Sequence, residues 1–460
     1  MLRFGILEKL INSTNRIPWI VNKRWKKPKY KWITDSMKSK YEPTQLALKY
    51  FDKHYKLEFG EKWPSVRLAL LSKQKHGALV NNFAHPIAVE EKLSQLGAKD
   101  CIPSMRSLLE TENQNIEENS QNDIETLSNA KLNQKTEEAY NNVNNDMLIN
   151  SSSSTYAPKV EYIVPEQYVD QMSQFIPNLV DNSTHNIDIG IERKQLSISE
   201  NLKCYIFDGS AVKRFPPAKY NSETYSYLEY YLLDASSLFP VLSLDLQPGD
   251  MVLDMCAAPG GKSVAMMQTM NIGGIVCNEV APSRRRRLQD ALQLCIPKHI
   301  LNDEECFRIT EFDGTEWGNM EPDTYDKILV DVPCTTDRIV ATENDNNIFH
   351  PKRLKERSRL PLLQTELLSA ALKSVKVGGT VVYSTCTMSS EQNENVVQRA
   401  VYECLQNDSI QVLEIDLSPL TRICNKMFNF HDKLKLGQIV VPSLSANFGP
   451  MYFCALKRLN

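Results

Sequence analysis

The chain has 460 residues, 42% of them hydrophobic, a net charge of −3 and a mean hydropathy of −0.37. That length supports two or three domains with a sizeable core, and the absence of any apolar run near 18 residues excludes a transmembrane helix. Eleven cysteines with no C-x-x-C pair and no zinc-finger spacing predict free thiols in a reducing compartment and no metal site.

Residues 1–31 carry nine basic side chains (Arg3, Lys9, Arg16, Lys23, Arg24, Lys26, Lys27, Lys29 and Lys31) against one acid, Glu8. Interleaved with Leu, Ile, Phe and Trp, they read as a mitochondrial presequence, and they leave the rest of the chain at −11. A basic tail that binds RNA directly is the alternative. Residues 41–108 read as a helical region, with Leu46, Leu48, Phe51, Val66, Leu68, Leu70 and Leu71 as apolar positions. From 111 to 155 the composition turns to Asn, Glu, Gln and Ser, which cannot bury a core and predicts a disordered linker.

From Pro248 onward strands and helices alternate. Met251–Met255, Gly274–Val280, Phe307–Phe312, Lys327–Val332 and Thr380–Thr385 read as strands. Helices are predicted from Ser263, through Arg284–Leu294, around Leu360–Val375 and over Glu391–Leu405. Near-continuous β-branched strands separated by helices predict an α/β fold with a mainly parallel sheet, in a catalytic domain spanning 200–460. Ligands bind such sheets at the carboxyl ends of the strands. Asp254, Glu279, Asp313, Asp331, Cys334 and Cys386 all fall there.

The turn DMCAAPGGKS (Asp254–Ser263) is not a phosphate cradle, because Cys256 stands where a P-loop needs glycine, and no G-x-G-x-x-G is present. It remains a glycine-permissive turn that lets backbone approach a ligand. Glu279 ends the second strand, suited to two ribose hydroxyls, and Asp313-Gly314 offers a carboxylate to an exocyclic amine. A ribose and an adenine without phosphate describe S-adenosylmethionine. Two strand-end thiols beside that pocket suit methyl transfer to carbon 5 of a pyrimidine. That carbon becomes nucleophilic only after a thiolate adds to carbon 6, and a second group must then remove the carbon-5 proton. On the residues alone, either cysteine could attack.

DMCAAPGGKS, DVPCTTDR and YSTCTMSSEQNE closely resemble the motifs of the Sun-family RNA (cytosine-5) methyltransferases. The resemblance runs through most of Cys204–Asn460. The stretch FGEKWPSVRLALLSKQKHGALVNNFA (Phe59–Ala84) and the ending NFGPMYFC are similar to the family's mitochondrial branch acting on small-subunit ribosomal RNA. The resemblance implies a Rossmann-like methyltransferase fold with an N-terminal helical extension. It implies a cofactor site lined by Gly260, Gly261, Lys262, Glu279, Arg284, Asp313, Gly314 and Asp331. It also implies Cys386 as nucleophile, Cys334 as the group assisting release, and Asp331 near ring N3. Glu279 departs from the family's more common Asp.

Lys262 is expected to help depress a thiol pKa. Arg284–Arg287 and Lys352, Arg353, Lys355, Arg357 and Arg359 are candidate phosphate contacts, in a chain with no separate RNA-recognition module. The resemblance further implies the mitochondrial matrix, ribosomal RNA as substrate, and a helical-repeat partner of the mitochondrial transcription termination factor family. Contact with mitochondrial ribosomal subunits is expected too, with a second role in ribosome biogenesis. The rival reading makes the chain chiefly an assembly factor whose methylation is incidental.

Overall fold

The computed structural model describes residues 41–114, 187–209, 213–220 and 227–460. The expected presequence over 1–31 lies outside these, as does the expected linker from 115 to 155. Residues 111–114, assigned to that linker, instead close a helix over 102–114. They are held there because Asn113 donates to Leu196 O at 2.9 Å and Glu112 pairs with Arg422.

Helix α1 spans Pro43–Phe59, and its buried residues Pro43, Ala47, Phe51, Tyr55 and Phe59 recur every fourth position, one face of a helix. It stops at Gly60, whose φ of 54° suits glycine. Helix α2, Trp63–Leu71, folds back, and Trp63 Nε1 donates to Asp52 Oδ1 of α1 at 2.9 Å. The rest of the region expected to be helical is mixed. Strand β1 (Gly77–Val80), α3 (Pro86–Gln95) and β2 (Lys99–Asp100) follow. Strands of four and two residues are too short to display a two-residue period, so the helical reading missed them.

Strands β3 (Ile191–Glu192), β4 (Cys204–Ile206) and β5 (Tyr230–Leu233) come next. An antiparallel sheet of order β2-β4-β1-β5 joins the N-terminal strands to β4 and β5. Residues past 200 therefore also build the N-terminal unit. One face of that sheet packs Ala78, Val80, Tyr205 and Tyr230 on Val89 and Leu93 of α3. Leu79, Cys204, Ile206 and Leu233 lie in the core shared with the larger sheet.

The larger sheet contains β6 (Asp250–Asp254), β7 (Ile272–Asn278), β8 (Phe307–Thr310), β9 (Tyr325–Asp331) and β10 (Val375–Thr385). After these come β11 (Val412–Ile415), β12 (Gln438–Val440) and β13 (Met451–Arg458). The order is β3-β11-β13-β10-β9-β6-β7-β8, with β12 also pairing β13. Strands β10, β9, β6, β7 and β8 are mutually parallel, as their apolar runs predict. Val252, Leu253, Ile275, Ile328, Leu329, Val330, Val381 and Val382 are all buried, each side chain contributing roughly 1.5–3 kcal/mol. Strand β13 runs antiparallel between β10 and β11, with Thr385 opposite Tyr452. No helix among the described residues is long and apolar enough to cross a membrane.

Candidate active site

Strand β6 ends at Asp254, and the turn after it leads into a helix over Gly261–Gln268. Gly260 sits at φ 112°, and a Cβ there would lie 3.2 Å from both Leu288 Cδ1 and Ala291 Cβ. Glycine thus lets the helix Pro282–Cys295 close over the turn. A Cβ on Gly261 would lie 3.1 Å from the Tyr231 ring, so β5 of the N-terminal sheet borders the same turn. Asp254 is buried; its Oδ2 accepts from Ser263 Oγ at 2.6 Å, while Oδ1 has no partner. Burial pushes its pKa up to about 7.

Glu279, just past β7, is 3% exposed. Its Oε1 accepts from Ala281 N at 2.9 Å. Its buried Oε2 has no hydrogen-bond partner and lies 3.4 Å from Arg284 Nη1. Arg284 also donates to Ala258 O at 2.8 Å, which makes it a brace between the acid and the glycine turn. Asp313 is exposed and caps the turn Gly314–Glu316 by accepting from Thr315 N and Oγ1. Gly314 is closely packed: a Cβ there would meet Leu367 Cδ2 at 2.5 Å.

Strands β9 and β10 bring the thiols together, because their register sets Ser384 beside Asp331. The chain leaves both strands side by side, and the Cys334 and Cys386 sulfurs are 3.2 Å apart. Asp331 accepts from Ser384 Oγ at 2.8 Å and from Lys262 Nζ at 2.7 Å. Lys262 therefore ties the glycine turn to the strand end that carries the thiols. Burial works against its charge, but Asp331 outweighs that and holds its pKa above the ordinary lysine value. Lys262 does pull the Cys386 thiol pKa down, as expected, but larger effects outweigh it. The Cys386 thiol lies well above its usual range, first through its hydrogen bond with Cys334 and then through burial. Lys262, whose Nζ donates to Asp331, opposes this less than the hydrogen bond and burial raise it.

Sequence reasoning missed Asp337, which is fully buried behind the thiols. Its Oδ1 accepts from Thr335 Oγ1 at 2.8 Å and Thr387 Oγ1 at 2.9 Å. Its Oδ2 accepts from Met388 N at 2.8 Å and Tyr55 Oη at 2.7 Å. Gln392 Oε1 accepts from Thr335 N, and Gln364 donates to Pro333 O, which fixes the Cys334 loop further. The signal available was Asp337 within DVPCTTDR, three residues past Cys334.

Of the candidate phosphate contacts, several are engaged within the protein. Arg285 binds Glu279 O and Glu311, Arg353 pairs with Glu356, and Arg357 lies over the Phe349 ring at 4.4 Å. Arg286, Arg287, Lys352, Lys355 and Arg359 are exposed.

Residues 241–426 match the family model described as 16S rRNA methyltransferase RsmB/F. The chain is also 42% identical over 431 residues to the 5-cytosine rRNA methyltransferase NSUN4 of Xenopus laevis, covering 94% of each chain. The chain belongs to the RNA (cytosine-5) methyltransferase family. A second relative of that name, from Mus musculus, is 39% identical over 98% of each chain. Among solved structures, a methyltransferase homolog from Pyrococcus horikoshii matches with a TM-score of 0.44 and 18% identity, over 91% of this chain and 99% of that one. The cofactor of this RNA (cytosine-5) methyltransferase is S-adenosylmethionine. The residues present fit it: two buried carboxylate oxygens without hydrogen-bond partners, Asp254 Oδ1 and Glu279 Oε2, flank a glycine turn that lacks a phosphate cradle.

Proposed function

We propose that this enzyme methylates carbon 5 of a cytosine in mitochondrial small-subunit ribosomal RNA through a covalent Cys386–cytosine adduct. The observation that carries the reading is the 3.2 Å approach of Cys334 and Cys386 beside a lysine-held Asp331. The Cys386 thiol gives its proton to solvent and the thiolate bonds to carbon 6 of the ring, pushing the carbon 5–carbon 6 π electrons toward carbon 5 and N3. As charge develops there N3 takes up a proton, and the N3–H donates to the Asp331 carboxylate, which Lys262 and Ser384 orient. Bound S-adenosylmethionine supplies the methyl group to carbon 5. Cys334, as thiolate, then takes the carbon-5 proton, and the carbon 6–sulfur bond breaks with its electrons returning to Cys386. A base must leave any helix to reach these thiols, so the target is single-stranded or remodelled.

In the same reading Gly260, Gly261, Lys262, Gly314 and Asp331 shape the cofactor cleft. Glu279 holds the ribose through the oxygen that lacks a hydrogen-bond partner, Asp313 takes the adenine amine, and Arg284 acts as a brace. The basic first 31 residues support import to the mitochondrial matrix. A remainder near −11 exerts little pull on phosphate, which supports a basic helical-repeat partner of the mitochondrial termination-factor type as the source of RNA address. A role in assembling mitochondrial ribosomal subunits belongs to the same proposal, and a Cys386→Ala chain separates it from methylation. Bisulfite sequencing of mitochondrial RNA tests the reading. One protected small-subunit cytosine should become convertible when the protein is removed, and an unchanged pattern would overturn it.

A further inference from the structure

The carboxylate of Asp337 accepts four hydrogen bonds, and three come from the two thiol-bearing loops: Thr335 before it, and Thr387 and Met388 N just past Cys386. The fourth comes from Tyr55, 282 positions earlier in the chain, on α1. The Tyr55 hydroxyl also lies 3.3 Å from Thr387 Oγ1, so it touches both the carboxylate and one of the residues that carboxylate holds. Tyr55 is 2% exposed and Asp337 is 0% exposed. Water cannot replace a missing donor there. The Asp337 backbone N–H in turn donates to Cys386 O at 3.3 Å, which couples the carboxylate's position to the nucleophile's own peptide.

We propose that Tyr55 of the N-terminal helix is a positioning residue for methyl transfer, acting through Asp337 to hold the Cys334 and Cys386 loops at working distance. This rests on the two-thiol reading above. The ring of Tyr55 stacks on Phe51 at 4.9 Å and meets Trp63 edge-on at 5.6 Å. Its packing is thus separable from its hydroxyl. Removing the hydroxyl leaves one Asp337 oxygen short of a donor, and the carboxylate turns toward the donors that remain. A displacement on the order of 1 Å between reacting groups is enough to cost a large factor in rate.

The test compares Tyr55→Phe with Phe51→Leu in the full-length chain, as purified, on ribosomal RNA. Phe51→Leu thins the packing against the Tyr55 ring while leaving the hydroxyl itself present. Tyr55→Phe should lower kcat and the single-turnover rate of adduct formation about tenfold, with KM for the cofactor within about twofold of wild type. Phe51→Leu should lower the melting temperature at least as much and leave kcat within about twofold. A kcat for Tyr55→Phe no lower than that of Phe51→Leu would overturn the proposal. Should Tyr55→Phe fail to fold, 3-fluorotyrosine at position 55 keeps the hydroxyl and makes it a stronger donor at the cost of one small ring fluorine; an unaltered adduct rate there would overturn it as well. Cys386→Ala, assayed in parallel, separates the two readings: if the adduct survives in that variant the nucleophile assignment fails, whatever Tyr55 does.

Discussion

Cys334 and Cys386 bring their sulfurs to 3.2 Å across 52 positions of sequence, because β9 and β10 are parallel neighbours that end in register. Two thiols so close can divide the work of attack and release. Cys386→Ala is expected to abolish methylation and leave no covalent RNA adduct on denaturing gels. Cys334→Ala should also stop turnover while a Cys386-linked adduct accumulates. Accumulation in Cys386→Ala instead would reverse the two roles.

The raised pKa of Cys386 gives the first step a pH dependence. The neutral thiol dominates near pH 7, and only the thiolate attacks, so the reactive fraction grows as pH rises. Adduct formation in single turnover should accelerate about tenfold per pH unit between roughly 6 and 8. Stopped-time quenches across that range would show it, and a flat profile would mean that the thiol is already ionised in the RNA complex.

Glu279 offers one buried oxygen with no hydrogen-bond partner. Glu279→Ala should weaken S-adenosylmethionine binding by about 1–3 kcal/mol, roughly ten- to a hundredfold in Kd. Asp313, exposed and occupied in capping its own turn, should show a smaller loss as Asp313→Ala. Calorimetry with unchanged affinity for both variants would remove them from the cofactor site.

Glu58 lines an open cavity of about 480 Å³ with Glu391 and Glu394, and burial followed by the Glu394 charge raises its pKa to about 7. Between its ordinary value of 4.5 and about 7, the folded protein keeps a proton that the unfolded chain has released. Stability therefore falls as pH rises through that window and is fully present below it. Glu58→Gln should raise the melting temperature relative to wild type at pH 8 and leave it nearly unchanged at pH 4.5. Equal shifts at both pH values would count against this titration.

The parallel block was readable because strands buried on both faces are written as continuous β-branched runs, as in KILVDV and TVVYST. Their carboxyl ends then followed, and with them Asp254, Glu279, Asp331 and both thiols. Strand β13 is as apolar as β10, yet nothing in a run such as MYFCALKR states that it will lie antiparallel between β10 and β11. Direction is decided by which neighbour leaves an edge open. The short strands of the N-terminal sheet carry no period to read. Tyr55 was not singled out, because its hydroxyl acquires meaning only through Asp337, 282 positions away. Arg284, expected to line the cofactor site, bonds to Ala258 O and pairs with Glu279, contacts that no sequence spacing announces.

The junction of Tyr55 with Asp337 also has a history in time. At about 5–20 residues per second, a ribosome needs roughly 15–60 s to produce Asp337 after Tyr55 has been made. Throughout that interval the stripe of Phe51, Tyr55, Phe59 and Trp63 has no catalytic loop to cover it. A newborn chain thus displays an adhesive aromatic surface long before it has an enzyme to finish, and the early helix is a natural client for a chaperone.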